Sequence, residues 1–376
     1  MTDHNHRRNP NGVDNQFDPG WLEDDPLDDG FPGGLLHETG LPLDELLDRL
    51  VRDAELPSTQ EMASLSDLSR AHAEKVRSQW PLIPLSHRRA LLSQLIEAAV
   101  DDLNWQLGRL LRIALDDEDA TLRRLAIEGL WEDGEADLIG AYIQILRIDP
   151  SEEVRAAAAG ALGPFMLAGE LDELDASLAM RTEEALLAVL HNDHEPLSVR
   201  RRALESIAYS GEVGVRQLIE DGYYSAYEEM RVSALIAIHH SADIRWRNFA
   251  RAELQSPSAE MRAQAALACG ALEATAARED LIELLGDEEQ NVRLAAIVAL
   301  GQIGGKDAQM ALEMMRESED PDEVDAADLA LEELMFFAGI QSDPLYDDAL
   351  AEADEEDVDP WDDRFDIDDR DLGSYE

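Results

Sequence analysis

Residues 287–315 read DEEQNVRLAAIVALGQIGGKDAQMALEMM, and this stretch decides the fold. Val292, Ala296 and Leu300 follow one another at helical spacing, so they share one face of a helix, with Arg293 beside the first of them. Gly304-Gly305 then breaks the pattern, and a second apolar helix begins at Lys306. Working outward, the same unit, apolar-Arg-x-x-Ala-x-x-x-apolar, recurs at Arg123, Arg155, Arg200, Arg231, Arg262 and Arg293, at separations of 32, 45, 31, 31 and 31 residues. The alanines are Ala126, Ala158, Ala203, Ala234, Ala265 and Ala296, and the apolar side chains seven residues after each arginine are Leu130, Leu162, Ile207, Ile238, Cys269 and Leu300. Alanine in the middle of such a face lets a neighbouring helix approach closely. Two helices and two tight turns account for the 31-residue period.

Second helices are read at GEADLIGAYIQILRI from Gly134, SADIRWRNFARAEL from Ser241 and GKDAQMALEMMRES from Gly305. Six residues before each arginine stand Asp117, Asp149, His194, Ser225, Ser256 and Asp287, and five of these six are read as N-caps. The 45-residue gap implies about fourteen extra residues, placed in PFMLAGELDELDASLAM after Pro164. Earlier, SHRRALLSQLIEAAV reads as a degenerate unit, and Leu43, Leu46, Leu47 and Leu50 form the apolar stripe of a still earlier helix.

On the stretches DEEQNVRLAAIVALGQIGGKDAQMALEMM and DPSEEVRAAAAGALG the chain resembles the HEAT-repeat family, in the short form of about thirty residues seen in phycobilisome-lyase-type proteins. The resemblance covers roughly residues 84–338. It implies an all-α fold, an α-solenoid of stacked helical hairpins wound as a superhelix, in which the repeated Asp and Arg form a ladder between successive repeats. The six arginines are therefore expected to be structural. In the last unit, DPDEVDAADLALEEL, Asp325 is read at the arginine position and Asp328 at the alanine position, as suits a polar terminal cap. The expected organisation is a disordered acidic tail over 1–40, capping helices over 41–83, the repeat array over 84–338 and a mostly disordered acidic tail over 339–376.

Charge narrows the function. The 376 residues carry 83 Asp+Glu against 31 Lys+Arg, a net charge of −52. Residues 1–40 hold nine acids and two arginines, 343–376 sixteen acids and two arginines, and the body 58 acids against 27 bases. Such a chain repels phosphate backbones and anionic lipid, so neither nucleic acid nor membrane is an expected partner. No stretch approaches the roughly 20 apolar residues needed to span a bilayer, and the first residues lack the apolar core of a secretory signal. A single cysteine, Cys269, makes no internal disulfide and points to a reducing cytoplasm. Only two of the basic residues are lysines, Lys75 and Lys306, a bias that fits a GC-rich bacterial genome.

Candidate chemistry is sparse. His191-Asn192-Asp193-His194-Glu195 gathers metal-ligating side chains, yet five consecutive loop residues rarely converge on one ion and a capping turn explains them equally. His239-His240 is read as a solvated helix end. The HEAT-like di-iron hydroxylases of deoxyhypusine place His-Glu pairs on successive repeats; here no such pair is read inside a repeat helix, and His37-Glu38 lies in the leader. Asp366, Asp368, Asp369 and Asp371 lack the glycine and distant glutamate of an EF-hand. Cys269 is read as a packing residue, and no cofactor is expected.

Two features point to recognition. Both tails set aromatic residues in acid, Trp21, Leu22 and Phe31 in the first and Trp361 and Phe365 in the second. These read either as short motifs that dock on a partner or on the repeats, or as drifted linkers with incidental aromatics. Against the acid, Arg245, Arg247 and Arg251 make a basic spot around Trp246 that is suited to an acidic tail. The sequence thus predicts a non-enzymatic, cytoplasmic scaffold or adaptor for a basic or amphipathic protein. The repeat type alone suggests an alternative, a lyase- or chaperone-like subunit resembling the phycobilin lyases.

Overall fold

The structure is a computed structural model that describes residues 40–341 apart from Ala54 and Leu103. Among the described residues there is no strand. The fold is an α-solenoid of stacked helical hairpins, divided into two compact units between Ser241 and Ala242. The boundary falls inside the repeat array expected over 84–338.

The first unit opens with α1 (Leu43–Arg52), a 3₁₀ turn and α2 (Arg70–Gln79). Leu43, Leu46, Leu47 and Leu50 are all buried, as their spacing requires. There follow α3 (Leu85–Asp101), α4 (Gly108–Ala114), α5 (Ala120–Gly129), α6 (Asp137–Ile148), α7 (Glu152–Ala161), α8 (Gly163–Glu170), α9 (Ala176–Leu190), α10 (Leu197–Ile207), α11 (Val213–Tyr223) and α12 (Glu228–Ser241). The arginine-bearing helices α5, α7, α10 and α12 pack in succession, with α3 ahead of them. Their alanines, Ala126, Ala158, Ala203 and Ala234, are fully buried. The fourteen extra residues supply α8 and the turn after it, inside the hairpin that α7 and α9 would otherwise close.

The second unit contains α13 (Arg247–Ala252), α14 (Ala259–Ala271), α15 (Arg278–Leu284), α16 (Gln290–Ile303), α17 (Lys306–Met315) and α18 (Pro321–Gln341). Here α14, α16 and α18 pack in succession. A Cβ on Gly270 would lie 2.8 Å from Ala299 Cα, and one on Gly301 3.1 Å from Ala330 Cα. Glycine at these two places therefore permits a backbone crossing closer than alanine alone would allow. Between α16 and α17 the chain turns through Gly304 and Gly305, at φ +67° and +95°, a region costly for any residue with a Cβ.

Two expectations are corrected. The helices start two residues later than read, so the caps are Asp119, Ser151 and Ser258 rather than Asp117, Asp149 and Ser256. The residue six before the arginine instead shapes the turn: Asp117, Asp149 and Asp287 each accept the amide of the residue two positions on. In the last unit the 31-residue period is kept, so Val324, not Asp325, holds the arginine place and Ala327, not Asp328, the alanine place. Glu323, Ala327 and Leu331 form its buried face, which is polar only where Glu323 replaces valine.

Candidate functional site

The ladder is built from the turns. Arg123 Nε and Nη2 donate to the two oxygens of Asp149 at 2.7 and 2.9 Å, while Nη1 donates to the carbonyls of Asp117 and Glu118. Arg262 repeats this pattern on Asp287, both at 2.8 Å, and on the carbonyls of Ser256 and Pro257. Arg155 and Arg293 reach a glutamate instead, Glu195 at 2.8 Å and Glu323 at 2.6 Å, and both donate to a carbonyl of their own turn, Asp149 and Asp287. Each rung thus joins a helix to the turn before it and to the repeat after it, and paired charge-assisted bonds of this kind are both strong and directional.

The rungs are interrupted at two places. Arg231 donates only to the Ser225 carbonyl at 3.1 Å, with Glu228 3.6 Å away. Arg200 lies 3.9 Å from Asp193, and its buried Nε has no hydrogen-bond partner. By the 25-residue spacing of Arg262 and Asp287, the acceptor for Arg200 would stand at Ser225, which has no charge.

The ladder also begins earlier than its repeat signature. Arg88 Nη1 and Trp80 Nε1 both donate to Asp117 Oδ2, the indole at 2.7 Å, in a buried cluster that ties α3 and the turn after α2 to the first full repeat. Sequence reading placed this region in a degenerate unit and missed Arg88, because no alanine follows it at the repeat spacing.

Other candidates separate. Glu195 is committed to Arg155, and His194 donates its amide to Asn192 Oδ1. Among the described residues no group of three or more His, Cys, Asp or Glu is gathered as a metal site. His240 is not a solvated helix end: it stacks on Tyr209 at 4.3 Å between ring centroids, and its Nδ1 lies 2.8 Å from the Glu205 carbonyl. The aromatic ring offered it a face that the sequence could not display. Cys269 is fully buried, and burial, assisted by Asp280, pushes its pKa up to about 12, so the thiol is uncharged.

The basic spot is not one free patch. Arg245 pairs with Asp243, Arg251 with Asp280, and Arg247 donates to the Leu272 carbonyl. An acidic segment arriving there would compete with these acceptors. Trp246 and Phe249 pack edge to face at 5.0 Å, with Trp246 buried. Trp21, Leu22, Phe31, Trp361 and Phe365 lie outside the described residues.

One cleft stands out in the first unit, about 340 Å³, between the turn that follows α4 and the length of α6. Its walls are apolar, with Leu115, Leu138, Ala141, Ile145 and Ile148. Two closed ion pairs border it, Arg112 with Asp137 and Arg123 with Asp149. Among the described residues no helix is long and apolar enough to cross a membrane.

No curated protein matches the chain. Solved structures similar to the chain include a designed armadillo repeat protein, 20% identical with a TM-score of 0.34, the match covering 52% of this chain and 99% of that one. The phycocyanin lyase complex from Nostoc sp. PCC7120 is 17% identical with a TM-score of 0.40, over 60% of this chain and 94% of that chain. Human deoxyhypusine hydroxylase in complex with glycerol is 18% identical with a TM-score of 0.32, over 78% and 96%. The sequence profile of the HEAT repeats matches residues 108–184 and 248–332. The arginine rungs Arg123, Arg155, Arg262 and Arg293 fall within these two stretches, which carry the HEAT repeats.

Proposed function

We propose that the chain is a non-enzymatic scaffold that binds a protein partner with a basic or amphipathic surface. The observation that carries this reading is the fate of its positive charge. Rung arginines Arg123, Arg155, Arg262 and Arg293, and Arg88 and Arg112, are held by carboxylates inside the fold. Cations spent internally leave the surplus of acid, 58 against 27 in the body alone, to face solvent. A surface of that sign accelerates encounter with a basic partner and repels an anionic one. The acidic tails, with Trp21 and Trp361, extend the same field and supply aromatic contacts. Side chains of the ladder turns hold one another, which is the work of a frame rather than of a reacting centre.

Anisotropy of a labelled amphipathic peptide with lysine on its polar face tests the reading, with the glutamate counterpart as control. The lysine peptide is expected to bind the full chain, and to bind more weakly as salt rises from about 0.01 to about 0.15 M, where the screening length falls from about 30 to about 8 Å. Equal binding of both peptides, or of neither, overturns it.

A further inference from the structure

The α4–α6 cleft has a chemistry of its own. Its bordering cations cannot readily take an anion: Arg112 is 8% exposed and held by both Asp137 and Asp133, and Arg123 by Asp149 and two carbonyls. Two carboxylates on the same rim are held far less firmly. Asp116 makes no ion pair, and Glu118 is 84% exposed, with only Arg88 at 3.4 Å, a guanidinium that Asp117 already holds. Asp116 as a residue is exposed, and partial desolvation of its carboxyl against the cleft lifts it above the ordinary aspartate range while Arg77 pulls the other way. Below that rim runs an apolar wall on α6, ending at Ile148, which is 64% exposed. A volume of 340 Å³ is at the lower end of the range of ligand pockets, about 300–1,000 Å³.

An apolar trough with a surplus of carboxylate at its mouth complements one kind of side chain. A long cationic side chain lays its methylene stem along hydrocarbon and keeps its charged head at the polar edge. A neutral apolar guest would leave Asp116 further desolvated without a partner, and an acidic guest would meet two like charges. We propose that the cleft between the α4 turn and α6 is an anchor pocket for a lysine or arginine side chain of a protein partner, with Leu138, Ile145 and Ile148 along the stem and Asp116 and Glu118 at the head. This rests on the scaffold reading and gives it a place on the surface.

The test is carried out on the cleft directly, so that it does not depend on the partner. The probe is n-butylammonium, with n-butanol as the neutral counterpart, followed by the methyl resonances of the full chain labelled at isoleucine δ1. Butylammonium is expected to shift Ile145 and Ile148 saturably and butanol to shift them at least about fivefold more weakly, as one exposed ion pair would give. The double variant Asp116→Asn, Glu118→Gln is expected to weaken butylammonium about tenfold, and Ala141→Phe, which fills the trough, to abolish the shifts while methyls outside the cleft keep their positions. No shift at Ile145 and Ile148, equal response to butanol, or an unchanged affinity in the double variant overturns the pocket. The pocket then fails alone if the lysine peptide still binds the full chain, whereas loss of peptide binding with an intact butylammonium response strikes the scaffold reading.

Discussion

Asp117 shows how much one carboxylate can be asked to hold. Its side chain is buried and accepts from Arg88 and Trp80, it shapes the turn by accepting the Asp119 amide, and its carbonyl accepts from Arg123. A buried ion pair contributes little net stability while complete, but removing one partner strands the other. Asp117→Ala is therefore expected to destabilise the first unit by about 3–5 kcal/mol, since Arg88 would remain buried without its counter-charge. Thermal denaturation checks this, with Asp116→Ala, whose carboxylate holds no ion pair, as the neighbour that should change stability little. A similar loss in both would mean that the turn, and not the charge, is what matters. From sequence Asp117 was visible only as a cap, because a carboxylate's second and third partners come from residues 29 and 37 positions away.

At the scale of the element, the rung is the unit of design. Its arginines, its period and its alanines were all legible, since they repeat within the chain and a repeat is its own alignment. The partner of each arginine was legible only in kind, because Glu195 and Glu323 stand at different offsets from Asp149 and Asp287 yet reach the same guanidinium position. Close helix crossing was credited to alanine, whereas in the second unit Gly270 and Gly301, each one residue past the repeat's last apolar position, bring the backbones together. The cleft could not be read at all: Ile148 belongs to an ordinary apolar stripe, and nothing in the sequence shows that it is left 64% exposed. The interrupted rung offers a direct test. Ser225→Asp should give Arg200 the carboxylate that Arg262 finds in Asp287, with a gain of about 1 kcal/mol and a rise in Tm of about 2–4 °C. In an Arg200→Met background the same substitution should give no gain, and a gain that survives there would show that the aspartate acts only on its own turn.

For the whole molecule two electrostatic effects oppose one another. A net charge of −52 favours expansion, while the rungs favour compaction. Screening separates them, because salt acts on charges spread over the surface and hardly on contact pairs that are partly buried. The rungs are of the second kind, with Arg123 and Asp149 side chains 11% and 6% exposed. Tm is therefore expected to rise by a few degrees between about 0.01 and about 0.15 M salt; a fall would mean that exposed ion pairs outweigh the repulsion. Length is governed by the same division of labour. Arg155 and Glu195 are 40 residues apart where Arg123 and Asp149 are 26, yet the rung is closed, because the extra chain is folded away as α8 between two members of one hairpin. New sequence can therefore enter this architecture at the hairpin bends without disturbing its neighbours, while the junctions between repeats keep their spelling. Any later elaboration, natural or designed, has its points of entry marked by that asymmetry.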